Sequence, residues 1–263
     1  MNLQRFFISL RMLFRMLMRR KVVLLLLLVI PCLFISMVQF TSSEKDVFFQ
    51  VGIASSRTIV KAPEVNVALI FVVLATTGFL ASFLSLNLVQ QYQAINRRLV
   101  ICGYLPAELI VSSLCIMLFM ILILVVCIGA VVFLFFEPAH REYMIAGLFF
   151  AGLTYGSYGI LVGTLVKGEL EGTLLVILLA NIDAGWLQNP LFFSEARNKF
   201  IIQFLPAYYP SQVSIAAAFT DLPLKDPVLN CVVYTGAFLT LAFMISYYRM
   251  RIKTHVKAIA SNP

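Results

Sequence analysis

Few residues in this chain could do chemistry, and their spacing narrows the options further. One acid stands out. Asp183 sits late in an apolar run, with Asn181 before it and Trp186 and Gln188 after it. A carboxylate inside a membrane-length segment is a functional candidate by default. Its place near the outer end of the run points to a structural or outer-gate role, or to direct substrate contact, with water, Arg197 or Lys199 within reach. A phosphate-binding loop needs G-x-x-x-x-G-K-[ST], so that backbone amides and a Lys cradle the phosphates. The nearest string, Gly163-Thr164-Leu165-Val166-Lys167-Gly168-Glu169, puts an acid where the Lys is required. The chain is therefore not expected to hydrolyse ATP alone. An intramembrane serine protease would pair Ser157 with a His base, but the two His, His140 and His255, both lie outside the apolar runs. H-E-x-x-H and CxxC are absent and the five Cys are scattered, so neither a metal nor a disulfide is expected. The thiols, mostly within or beside the spans, read as small buried hydrophobes.

The elements that must carry these residues follow from composition. Of 263 residues, 61% are hydrophobic and 12% charged, against about half and a quarter in soluble domains. A soluble enzyme, a disordered chain and a disulfide-stapled fold are all excluded. Apolar runs mark six spans: 22–40, with Pro31 as a kink, 65–91, 106–136, 143–166, 172–186 and 228–248. Their continuity indicates helices rather than barrel strands. The expected fold is an all-α integral membrane protein, divided into a cytoplasmic amphipathic helix over 1–21 and a six-span domain over 22–263. A secondary carrier would show inverted repeats and a channel a filter or charged ring; neither is legible.

Basic residues set the orientation. With the N-terminus in the cytoplasm, inner segments hold 13 of the 20 Lys and Arg, and outer segments hold Lys45, Arg57, Lys61, Arg141, Arg197, Lys199 and Lys225. Both termini are then inside. The net charge of +8 is accounted for by insertion, and no nucleic-acid partner is expected. The first apolar run lacks a small-residue cleavage site after it and reads as an uncleaved span rather than a signal peptide.

Four segments carry more information. Residues 1–20 form an amphipathic helix: Leu3, Phe6, Phe7, Leu10, Leu13, Phe14, Leu17 and Met18 occupy one arc, while Arg11, Arg15 and Arg19 form a stripe opposite, together with Gln4, Arg5, Ser9 and Arg20. Such a helix lies in the inner headgroup layer and can touch a cytoplasmic partner. Between spans two and three, Arg97 and Arg98 precede Leu99, Val100, Ile101, Gly103 and Pro106. This reads as a short cytoplasmic surface element whose apolar residues need a partner. In the fourth span, Gly152, Gly156, Gly159 and Gly163 form two small-xxx-small steps that admit a close neighbour. The outer stretch 187–227 is too apolar for a solvated loop. Pro206 and Pro210 break it into two pieces, with Ser211 placed to cap the second. It reads as a re-entrant hairpin, with Phe204 and Tyr208 beside Asn181 and Asp183 in a substrate path or outer gate.

Together these parts resemble the permease subunit of type-2 ABC exporters. The resemblance rests on the basic elbow over 5–20, six spans in about this length, the NRRLVICGYLPAEL segment, which is similar to a coupling helix, and LPAYYPSQ before the last span. It implies a half-transporter in the cell membrane, most naturally a bacterial plasma membrane. Two permease copies, or a copy and a paralogue, would enclose the path, and separate ABC ATPase subunits would carry ATP and Mg. The chain itself would bind no cofactor. Coupling would fall to Arg97, Arg98, Leu99 and Gly103 with Arg11 and Arg15 of the elbow. The 23 Phe suit an amphipathic cargo such as a drug, peptide antibiotic or lipid, as well as surrounding membrane lipid. The alternatives are a non-transporting assembly or immunity subunit, and a secondary carrier or channel.

Overall fold

The fold is described from a computed structural model covering residues 3–53, 56–166, 168–221 and 224–260; side chains at 3, 52, 53, 56–58, 94, 97 and 250–260 are not described. Lys167 and the side chains of Arg57, Arg97, Arg251, Lys253, His255 and Lys257, used in the charge and motif reading above, therefore lie outside the described residues. The chain is about 82% helical. Its elements are α1 (Leu3–Met18), α2 (Lys21–Thr41), β1 (Asp46–Ile53), β2 (Ser56–Pro63), α3 (Glu64–Ile101), α4 (Pro106–Val132), α5 (Arg141–Leu165), α6 (Glu169–Ile182), α7 (Pro190–Glu195), α8 (Lys199–Gln203), α9 (Tyr208–Phe219) and α10 (Lys225–Ala260). Among the described residues, six helical segments are long and apolar enough to cross a membrane: Lys21–Thr41, Glu64–Gln93, Pro106–Val132, Arg141–Leu165, Glu169–Leu187 and Lys225–Arg249. The protein is a multi-pass membrane protein of predominantly α-helical structure. Pro31 is accommodated inside α2 without ending it.

α5 is the central helix, packed on α3, α4, α9 and α10. Its glycines explain how. A Cβ on Gly159 would fall 2.9 Å from the carbonyl carbon of Ser82, well inside contact distance. One on Gly163 would lie 3.2 Å from the Leu86 carbonyl oxygen, and one on Gly152 2.6 Å from Ile121 Cγ2. Gly156 faces Met117, Ile121 and Ser85. The neighbours of the glycine stripe are thus α3 and α4, and at Gly159 helix backbone meets helix backbone. Without a hydrophobic drive between helices in lipid, such close packing supplies much of the association energy. On its other side α5 meets α10 through hydroxyl pairs, Thr154 Oγ1 to Thr235 Oγ1 at 2.8 Å and Thr164 Oγ1 to Ser246 Oγ at 3.0 Å. The two helices run parallel, and the Arg249 guanidinium donates to the terminal carbonyls Thr164 O and Leu165 O of α5. That satisfies acceptors a helix end leaves open.

Two parts of the fold depart from the sequence reading. β1 and β2 pair antiparallel, from Asp46 with Pro63 to Ile53 with Ser56, where no strand is expected from the sequence. Their alternation is that of half-buried strands: Phe49, Val51 and Ala62 are buried, while Phe48 and Ile59 are exposed. Phe49 packs edge-on against Phe219 of α9 at 5.5 Å between centroids, and Lys61 pairs with Asp46 at 2.8 Å across the exposed face. The stretch after α6 contains three helices rather than two pieces. Pro210 does not break it. It lies in the first turn of α9, where the missing N–H costs nothing. Pro190 likewise opens α7, capped by Asn189 Oδ1, which accepts from Leu191 N–H at 3.0 Å.

Candidate functional site

α6 does not end at Ile182 but widens into a single π turn over Asp183–Leu187, a local geometry that recurs at functional positions. The turn points Asp183 into the protein, where it is only 2% exposed. Three donors meet its carboxylate. The Tyr155 hydroxyl, from α5, and the Ala207 N–H, at 2.9 Å, both donate to Oδ2. Gln188 Nε2 donates to Oδ1 at 3.0 Å. The Gln188 Oε1 in turn accepts from Ser211 Oγ at 3.2 Å. α3 makes room for the tyrosine: a Cβ on Gly78 would press to 3.0 Å from the Tyr155 ring.

The electrostatics follow from this geometry. Ala207 immediately precedes α9, so the carboxylate sits at that helix's N-terminus, where unpaired amides and the helix dipole favour negative charge. Among the described residues no Lys or Arg forms an ion pair with Asp183. Lys199 instead donates to Gln50 Oε1 at 2.7 Å and lies over the Phe193 ring, and Arg197 is exposed. The expectation that these cations reach Asp183 is therefore corrected. A carboxylate balanced by dipoles alone has strong demands on its donors, and here they come from α5, the π turn and the start of α9. Beside it lies a small cavity of about 10 Å³ lined by Phe71, Leu74, Ala151, Tyr155, Ala184, Gln188, Ala207 and Ser211, at the limit of what one water requires. The arrangement is a latch: one acid ties three segments together at the base of α9. The far end of α9 is fixed too, since Ala217 O and Ala218 O accept from His140 N–H and Ala139 N–H at 2.8 and 3.2 Å. α9 thus lies antiparallel along the first half of α5. A Cβ on Gly147 would touch Pro210 O at 3.1 Å.

Of the four residues expected in the path or gate, Asp183 and Tyr208 come together. Tyr208 is buried one residue beyond Ala207, its ring against Phe193 and Tyr209 at 5.8 and 5.2 Å. Asn181 is exposed on the opposite side of α6, and Phe204 is 63% exposed, with its carbonyl taking the Tyr234 hydroxyl. Ser211 is not the cap of α9. It lies inside the first turn and bonds back to Tyr208 O at 2.7 Å. Tyr155, Gly78 and the Ala207 amide have no counterpart in the sequence reading, where Gln188 is only a chain neighbour of Asp183. Tyr155 carried a signal nonetheless, since a buried tyrosine hydroxyl needs a partner. Ser157 donates to Leu153 O within its own helix at 2.6 Å, while His140 faces Asp221 at the start of α5. The two do not form a nucleophile–base pair.

A second cluster lies at the far end of α3. The element between spans two and three is no separate surface piece: α3 continues unbroken through Arg97, Arg98 and Leu99 to Ile101. It stops because Gly103 adopts φ +88°, a conformation in which glycine closes helices. Glu108 opens α4 by accepting from Leu105 N–H at 3.3 Å, one half of a capping box. Arg5 of α1 clamps the turn, donating to Gly103 O at 2.5 Å with its guanidinium over the Tyr104 ring at 5.7 Å. Ser9, assigned to the polar half of α1, is buried and bonds Ser112 of α4 at 2.9 Å. Arg98, Arg11 and Arg15 are exposed, Leu99 is half-buried, and Ile101 is 69% exposed. Cys102 in this turn and Cys115 in α4 are exposed thiols, whereas Cys231 is buried; the reading of all five as buried hydrophobes holds for only part of the set. No protein-family model matches the sequence, and no curated protein matches it.

Proposed function

We propose that the chain is the permease subunit of an ATP-driven exporter of the type-2 ABC kind. It works as a dimer with a second copy or paralogue, and is driven by separate ATPase subunits that carry ATP and Mg. The observation that carries this reading is the shape of α3. The helix packed most extensively on central α5 continues about 15 Å past Gln91, where its apolar run ends, before turning at Gly103. A force applied to that turn reaches the core through a rigid rod rather than a loop. The turn presents Arg98 and Ile101 outward and is braced by Arg5. With Arg97, Leu99 and Gly103, it forms the coupling surface on the cytoplasmic side of the cell membrane, where both termini lie; of α1 it is Arg5 that touches the turn.

On the outer side, α7 to α9 form the re-entrant hairpin and Asp183 its latch. Among the described residues this acid is held by hydrogen bonds and by no ion pair, so rearranging three donors can release it. Asn181 exposes its carboxamide from an apolar face of α6; that face is where the second copy meets this one or where the path runs. Cargo is amphipathic: a drug, a peptide antibiotic or a lipid. Nucleotide binding has work to do only if the ATPase contacts differ in free energy between the two states of the path.

Charge reversal tests the coupling surface. Arg97→Glu with Arg98→Glu, in a complex reconstituted with its ATPase, should abolish export and weaken assembly while leaving the six-span fold intact. Export and assembly both unchanged would remove the turn from the mechanism.

A further inference from the structure

We propose that the basic stripe of α1 is a docking surface for anionic lipid headgroups of the leaflet at the start of α2. This goes beyond the transport reading and holds whatever drives the protein. Docking on α4 fixes the rotation of α1: Ser9, Leu13 and Leu17, four residues apart, are all buried against the protein. With that face committed, the apolar arc read from sequence divides. Its other half stays outside, with Phe7 58% and Met18 48% exposed. Around the helix at about 100° per residue, this strip lies between the docked face and Arg11, Arg15 and Arg19. All three arginines are exposed, as are Arg20 and Lys21 at the junction with α2. None of the five forms an ion pair among the described residues.

The helix therefore has three faces: one held by the protein, one apolar and uncovered, and one uncovered face on which the arginines surround the exposed Ile8. An apolar strip bordered by cations matches the boundary between acyl chains and phosphates. An acidic protein surface would satisfy the arginines but would leave Phe7 and Met18 in water. Since the opposite flank of α1 is tied to the Gly103 turn through Arg5, headgroups bound here also stiffen that turn.

The test uses the full-length chain in nanodiscs of phosphatidylcholine alone and of equal parts phosphatidylcholine and phosphatidylglycerol. Amide hydrogen exchange is followed in α1. Exchange should be about tenfold slower or more with phosphatidylglycerol, because each basic residue near a negative surface adds attraction. The difference should shrink at about 1 M salt, where screening reaches within about 3 Å. The triple variant Arg11→Gln, Arg15→Gln, Arg19→Gln should lose it, and the triple Arg→Lys variant should keep it. Unchanged exchange in α5 reports that each variant is folded; should the glutamine variant misfold, the lysine variant and the salt titration of the wild-type chain decide. Equal exchange in the two lipids overturns the proposal, as does a phosphatidylglycerol effect that survives the glutamine variant. Protection by added polyglutamate in phosphatidylcholine discs, with none from phosphatidylglycerol, also overturns it and assigns the stripe to an acidic protein.

Discussion

The Asp183→Ala variant should release the base of α9 while the α3–α5 core survives. Removing the carboxylate leaves the Tyr155 hydroxyl, the Ala207 amide and the Gln188 amide without an acceptor in a site that is 2% exposed at its centre. Each buried donor left unsatisfied costs about 1–3 kcal/mol, so the total is at least about 3 kcal/mol. The loss falls on the base of α9, while its far end stays held by the Ala139 and His140 amides. Hydrogen exchange across Tyr208–Phe219 should accelerate by about a hundredfold, a factor that corresponds to about 3 kcal/mol. Exchange at the α3–α5 contact should change far less. Asp183→Asn retains one acceptor oxygen but aims an NH₂ at another donor, and should fall between wild type and alanine. Tyr155→Phe removes one donor and leaves the Ala207 bond in place, so its effect should be near 1 kcal/mol. Unchanged exchange in α9 of the alanine variant would show that the acid is not the latch.

The second large effect is at Gly159. Valine there would drive two methyl groups into the Ser82 carbonyl, where even a Cβ has no room. The obstacle is backbone, so no rotamer change relieves it. Overpacking typically costs about 1–3 kcal/mol and more where nothing can yield. In detergent, Gly159→Val should give no monodisperse folded protein, and Gly159→Ala should be measurably less stable than wild type. Gly236 on α10 is the internal comparison: a Cβ there meets nothing within 4 Å. Gly236→Ala should leave stability unchanged or raise it slightly through helix propensity. Equal tolerance at the two positions would contradict the packing described for α5.

The six spans were legible because each is a continuous apolar run, and hydropathy reports where hydrocarbon begins and ends. It does not report where a helix ends. Gln, Asn and Arg in YQAINRR are polar enough to leave the bilayer yet compatible with helix, so α3 outlasts its apolar run, and the proposed coupling element is its tip. The strand pair escaped notice because Phe49 and Val51 alternate with exposed or half-buried neighbours, which never builds an apolar run. The glycine stripe announced close packing, but only three-dimensional contact names Ser82 and Ile121 as its partners. Asp183 announced itself as an acid among apolar residues. Its donors did not, since one comes from 28 residues earlier, another from 24 residues later, and the latter is a backbone amide of alanine. A backbone donor leaves no mark in a sequence. This is also why Ser211, a good capping residue by type, was preferred over a carboxylate arriving from another helix.

The measurement that bears most directly on the proposed function is cargo flux in sealed vesicles. The chain is assayed alone and together with any nucleotide-hydrolysing protein found to copurify with it from its own host. A permease without its own motor should move nothing against a gradient by itself, and should export only with the partner and ATP present. Vigorous uphill flux by the chain alone, driven by an ion gradient, would contradict the account.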